Sequence, residues 1–318
     1  MKPAKTLFGM IEMIKRRDPQ PGEPVRIAVF GKHPGWDDHI DDIGLRTDIL
    51  TSVKRILYVE GIGGNIESGT WEKYAEKRQI EEFGHAFVWR VKDSLVAGRL
   101  WASEDGKGRK SYPMVACAQC SGLSLEWTLE HGWTELARLQ ELCTATRQAE
   151  AVRSAVGECQ AKLQQLANSE NGGPGGKVAT QEALRGLAGL FRDHQDTDGL
   201  LRILYHIERY VPDMGKDGDT EPRPTLLRVP MWPQAGRDAI SWWMGLLGSM
   251  AGREPMVCVL APQSRDWMDL IVGPPGVSEL MCLRASPEAM PLTSRIPYTM
   301  DSDFRDRTNR LLEEACSS

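Results

Sequence analysis

Apolar residues recur along this chain with two different periods. VRIAVF at 25–30 is a short apolar run of strand length. HAFVWRV (85–91), SLVAGRLWAS (94–103) and YPMVACAQC (112–120) are three more, joined by short polar links. Such links close hairpins, so these runs predict successive antiparallel strands. TWEKYAEKRQIEEF (70–83) has a helical period. TDILTSVKRILYVEG (47–61) opens as a helix capped by Thr47 or Asp48, and its end, ILYVEG, reads equally as a strand. From about 124 to 213 the chain is helical by period and propensity, broken at ENGGPGG (170–176). Then TLLRVP, PMVCVLAP and MDLIVGP return as strands, with AISWWMGLLGSM between the first two as a helix and a closing helix near 301–315. The pattern predicts an α+β fold, a mixed or antiparallel sheet flanked by helices, with a helical insert at about 124–213.

The first 24 residues stand apart. Leu7, Phe8, Met10, Ile11 and Ile14 form one apolar face of a helix over 4–17, and DPQPGEP (18–24) then breaks the chain with three prolines. The division is therefore an N-terminal helix and proline-rich linker at 1–24, then a single α+β domain at 25–318. The length of 318 residues, 41% hydrophobic and 26% charged, fits one large globular domain. The net charge of −5 gives no basic excess for nucleic acid. No apolar run reaches the ~18 residues of a spanning helix, and no signal peptide is visible. Seven cysteines, an odd number spread over the chain, read as reduced thiols of a cytoplasmic protein.

GKHPGWDDHIDD (31–42) is the densest concentration of chemistry, with two histidines and four aspartates. His33, Asp37, His39 and Asp42 are metal-ligand types, and with Asp38 they would serve a metal-dependent hydrolase. Crowded carboxylates also raise one another's pKa, which suits a general acid. The simpler reading is structural or partner-binding: one aspartate caps or pairs, and the others face water. No HxH or HxxxH spacing elsewhere completes a metal site.

Other motifs are weaker. Gly61, Gly63 and Gly64, ahead of Ser68 and Thr70, would cradle a phosphate if ILYVEG were a strand, but they do not spell GxGxxG. ENGGPGGKVAT lacks the first glycine and the Ser/Thr of a P-loop. Cys117 and Cys120 form a lone CxxC at the end of a predicted strand, where core thiols are expected. Trp242 and Trp243 are adjacent on one helix and point in different directions; core packing is the default reading, and the alternative buries one and leaves the other as a contact surface.

Three separated features share an order. Gly31, Lys32, Pro34 and Asp38 follow the first strand. Gly98, Leu100 and Trp101 lead to Asp105, Gly108, Arg109, Tyr112 and Pro113. Ser241, Trp242 and Trp243 precede an apolar strand. In this order the chain resembles the TagF-type proteins associated with type VI secretion, whose pattern runs YGKLPxxGDF, DxVGRxFP and SxWW. His33 replaces the family's Leu, Asp-Asp-His replaces GDF, and a helix precedes the GK motif. The resemblance implies a non-catalytic cytoplasmic accessory protein without cofactor. It would act by protein–protein contact, in part through a forkhead-associated scaffold, on a longin- or profilin-like core. The binding residues it implies are Gly31, Lys32, Pro34, Asp37, Asp38, Asp105, Gly108, Arg109, Pro113, Trp242 and Trp243. The charges suggest a bidentate ion pair from Arg109 to Asp37 or Asp38 that pins the loop to the turn.

Overall fold

The computed structural model describes residues 23–91, 93–169, 178–211, 223–250 and 256–317. The helix predicted at 4–17 and the glycine break at 170–176 lie outside the described residues. Seven strands form one sheet: β1 (Val25–Gly31), β2 (Gly84–Val91), β3 (Ser94–Trp101), β4 (Met114–Ser121), β5 (Thr225–Pro230), β6 (Val257–Pro262) and β7 (Trp267–Val272). Their order is β1-β4-β3-β2-β6-β7-β5, and every pairing is antiparallel. The two sequence halves therefore build a single sheet, joined where β2 pairs with β6.

The helices lie on both faces. α1 (Asp48–Val53) begins where Thr47 Oγ1 accepts the Leu50 N–H at 3.1 Å, and continues as a π-helix over Lys54–Gly63. The helical block supplies α2 (Trp133–Ala145), α3 (Ala149–Ser169), α4 (Thr180–Asp193) and α5 (Thr197–Tyr210). α6 (Gly236–Met250) and α7 (Ser302–Ser317) follow. Val25, Ile27 and Val29 of β1 face a core made with α2 to α7, and Ala28 and Phe30 face a smaller core with α1 and the π-helix. That alternation is the strand period of two, used on both faces because both are covered.

Neither outer strand is left as an open template. Gln160 of α3 reaches β1, accepting the Ile27 N–H at 2.7 Å and donating to the Val25 carbonyl at 2.6 Å. Ile43 exchanges backbone bonds with Val29. On β5 the Arg228 N–H donates to Thr293 Oγ1 at 3.1 Å. Covered edges suppress strand addition from another chain.

One open alternative is decided and one sequence expectation fails locally. Of the two readings of ILYVEG, helix holds and strand does not: it is π-helix, with Ile56, Leu57, Tyr58, Gly61 and Ile62 buried along it. The helix predicted over 70–83 is shorter, Thr70–Glu76. Among the described residues no helix is long and apolar enough to cross a membrane.

Candidate functional site

The 31–42 loop is fixed by one residue outside it. β1 ends at Gly31, whose φ is +109° and whose Cβ would sit 2.3 Å from the Pro113 carbonyl. Only glycine lets the chain turn there against β4. The next residue, Lys32, donates its backbone N–H to that carbonyl and sends its side chain inward. Its ammonium meets Asp105 Oδ2 at 2.5 Å, with both side chains buried. Arg109 Nε donates to the same oxygen at 2.7 Å, and Oδ1 accepts the Lys107 and Arg109 N–H groups at 3.0 Å each. Burial alone would raise the Asp105 carboxyl. The bonds from Lys32, Arg109 and Lys107 outweigh it and hold the pKa well below the usual carboxylate range. Gly108, at φ +77°, closes the turn that wraps this carboxylate.

The predicted pairing of Arg109 with the loop is present, but not as a fork on one aspartate. Its Nε holds Asp105. One terminal nitrogen reaches Asp38 Oδ1 at 3.1 Å and the Asp37 backbone carbonyl at 2.9 Å. The Asp37 carboxylate faces solvent, 3.9 Å from the Lys107 ammonium. Asp38 also takes Lys32 at 3.5 Å and His39 Nδ1 at 3.1 Å. Desolvation works against its charge, but Arg109, His39 and Lys32 keep its pKa lowered. His39 packs edge-on against Tyr58 and Tyr112. The π-helix is what brings Tyr58 there.

The metal-ligand candidates do not come together. His33 is buried, with Nδ1 accepting the Gly35 N–H at 3.0 Å and Nε2 donating to the Cys143 carbonyl at 2.9 Å. Both ring nitrogens are thus occupied, and burial lowers its pKa. Pro34 follows as the first corner of the turn that Trp36 N–H closes onto the His33 carbonyl. Asp42 is drawn to Lys54 at 2.5 Å, Asp41 to Arg153 at 3.1 Å, and His39 to Asp38. Among the described residues no group of three His, Cys, Asp or Glu side chains could hold a metal. Sequence spacing clusters these residues; the turn sends their side chains apart.

The other candidates are also placed. Gly61, Gly63 and Gly64 lie inside helix, where Gly61 makes room for Leu280. They form no strand–loop–helix cradle. Cys117 and Cys120 are buried in β4, and burial pushes both thiols up to about 12. Trp243 is fully buried, so it offers no surface to a partner. Trp242 is half-buried and lies on Gly186 of α4, whose Cβ would stand 2.2 Å from the indole. Both tryptophans therefore help dock α6, as core packing predicts, and Trp242 keeps part of its surface exposed.

Sequence reasoning missed one polar centre. Arg228 of β5 and Asp269 of β7 form a buried bidentate pair, Nε–Oδ1 and a terminal nitrogen to Oδ2 both at 2.8 Å. The remaining donors reach the Ala285, Met290 and Cys282 carbonyls at 2.7, 3.1 and 3.2 Å. All five guanidinium donors are used. The sequence signal was available: a lone Arg and a lone Asp, each in the middle of an apolar strand. Comparison of the chain with protein-family models and with curated proteins finds no match.

Proposed function

We propose that this protein is a non-catalytic accessory protein that acts by protein–protein contact. Its contact face is the 31–42 loop together with the 104–113 turn. The reading follows the resemblance to TagF-type proteins, so the partner class is a component of a type VI-like secretion machine or a forkhead-associated scaffold in the cytoplasm. The observation that carries it is the brace at Asp105. A buried carboxylate with four donors orders a turn that displays Lys107, Arg109 and Lys110 to solvent beside Asp37. Ordering a polar surface before binding reduces the entropy lost on association.

The hydrolase alternative has no comparable support, because His33 spends both nitrogens on the fold. Elemental analysis of purified protein should give less than about 0.1 metal per chain, since such sites bind tightly. The direct test is recovery of partners from cells of the native host, using wild type and the Lys107→Glu/Lys110→Glu variant. These two side chains are exposed and leave the Asp105 brace intact. Wild type should recover a secretion or scaffold component, and the variant about tenfold less, or about 1.4 kcal/mol of binding. If wild type recovers no such component, the proposal fails.

A further inference from the structure

The 31–42 loop is also held from the side of the helical block, by His33. This residue is 1% exposed and bridges the loop to the end of α2. Its Nδ1 accepts the Gly35 N–H at 3.0 Å, and its Nε2 donates to the Cys143 carbonyl at 2.9 Å. Gly35 lies against the start of α3, where a Cβ would stand 2.8 Å from the Ala149 nitrogen. Trp36 packs edge-on against the ring at 5.5 Å, and its carbonyl accepts the Gly106 N–H at 2.6 Å. One imidazole therefore ties together α2, the loop and, through Trp36, the 104–113 turn.

This arrangement needs the neutral ring. Gly35 presents an N–H, so a proton on Nδ1 would set donor against donor at 3.0 Å. The ring bonds to backbone groups, and a buried charge there would have no carboxylate to pair with. Burial and the Arg147 cation oppose the charge, against the Cys143 and Thr146 carbonyls. Arg147, at the corner between α2 and α3, is shared with Glu104 at 3.3 Å, which also takes Lys110 at 3.7 Å. The other charges around the loop are already paired. Arg153 of α3 holds Asp41, Lys32 holds Asp105, Arg109 holds Asp38, and Lys107 faces Asp37. We infer that His33 is a pH-sensitive latch on the 31–42 loop. Neutral, it clips the loop to α2; protonated, it leaves its seat and frees the 33–36 turn, together with the Trp36 link to the 104–113 turn. That such a release would shed a partner rests on the contact face proposed above. The release itself does not, and it is read without any partner.

The test is amide hydrogen exchange of the full-length protein from pH 7.5 to 5.5, corrected for the intrinsic exchange rate. Gly35 and Trp36 report the latch, and Ala97 in the middle of β3 reports global opening. In wild type, opening at Gly35 and Trp36 should exceed that at Ala97 and should grow by up to about tenfold per pH unit below 6.5, the limit for one proton. His33→Asn keeps an acceptor for the N–H two residues on but cannot titrate. It should stay closed at pH 7.5 and lose the pH-dependent rise at Gly35. Where that variant does not fold, the His33 ring-nitrogen resonances of wild type decide: the ring should gain its proton in step with opening at Gly35. A rise of less than about twofold per pH unit, opening at Gly35 only in step with Ala97, the same rise in folded His33→Asn, or a ring that stays neutral while Gly35 opens would each overturn the inference.

Discussion

Replacing Arg228 with Met should lower the unfolding free energy by about 3–5 kcal/mol in a urea titration, the cost of breaking a buried ion pair from one side. The guanidinium is buried on every side and bonds to Asp269 and three carbonyls. Removing it leaves the Asp269 carboxylate buried without its cation. Burial already raises that carboxyl, with Arg228 opposing. The variant therefore either protonates Asp269 or loses stability. Asp269→Leu added to Arg228→Met should recover much of the loss, because the uncompensated charge is gone. The three carbonyls would still lack donors, so recovery should stop short of wild type. A single-variant loss under about 1 kcal/mol, typical of exposed pairs, would overturn the assignment.

Acid should destabilise the protein well above the range where carboxylates titrate, and His85 is the reason. Burial first, then Arg228, lowers its folded pKa to about 3 from the ordinary imidazole value of 6.5. The unfolded chain thus binds a proton that the folded one refuses. The stability His85 contributes is present above pH 6.5 and is lost as pH falls toward its folded pKa. At pH 5 the loss is about 2 kcal/mol, at about 1.4 kcal/mol per pKa unit. His33, also lowered, adds in the same direction. Asp105 joins only below about pH 4, because its folded pKa is depressed and its stabilisation vanishes on protonation. Asp269 acts the other way, its pKa being raised. Urea titrations at pH 7 and pH 5 on wild type and His85→Phe isolate the His85 part. An unchanged pH 7 to pH 5 difference in the variant would show that His85 does not carry it.

The strands were legible because their signal is local. β1 through β4 each show a mostly apolar run bounded by polar residues, and a strand covered on both faces needs little else. The π-helix was not legible. ILYVEG satisfies a strand as well as a helix face, and only packing against Tyr112, Leu280 and Val277 decides between them. The candidate site was legible in part. Lys32, Asp38, Asp105 and Arg109 could be listed, and an Arg109–loop ion pair could be anticipated. That Asp105 rather than Asp38 would sit at its centre could not. Centrality depends on which carboxylate is buried, and burial is a property of the assembled sheet.

The amino-acid order by itself determined the α+β class, the positions of all seven strands and the concentration of charge in 31–42. Each follows from local period or composition. Tertiary structure decided what those charges do. It joined the two halves into one sheet, set Lys32 and Arg109 on a single buried Asp105, and separated His33 from His39 and Asp42. It also paired Arg228 with Asp269 across 41 positions. The reason is physical: partner choice among charges depends on distance and desolvation, and both exist only once the chain has folded.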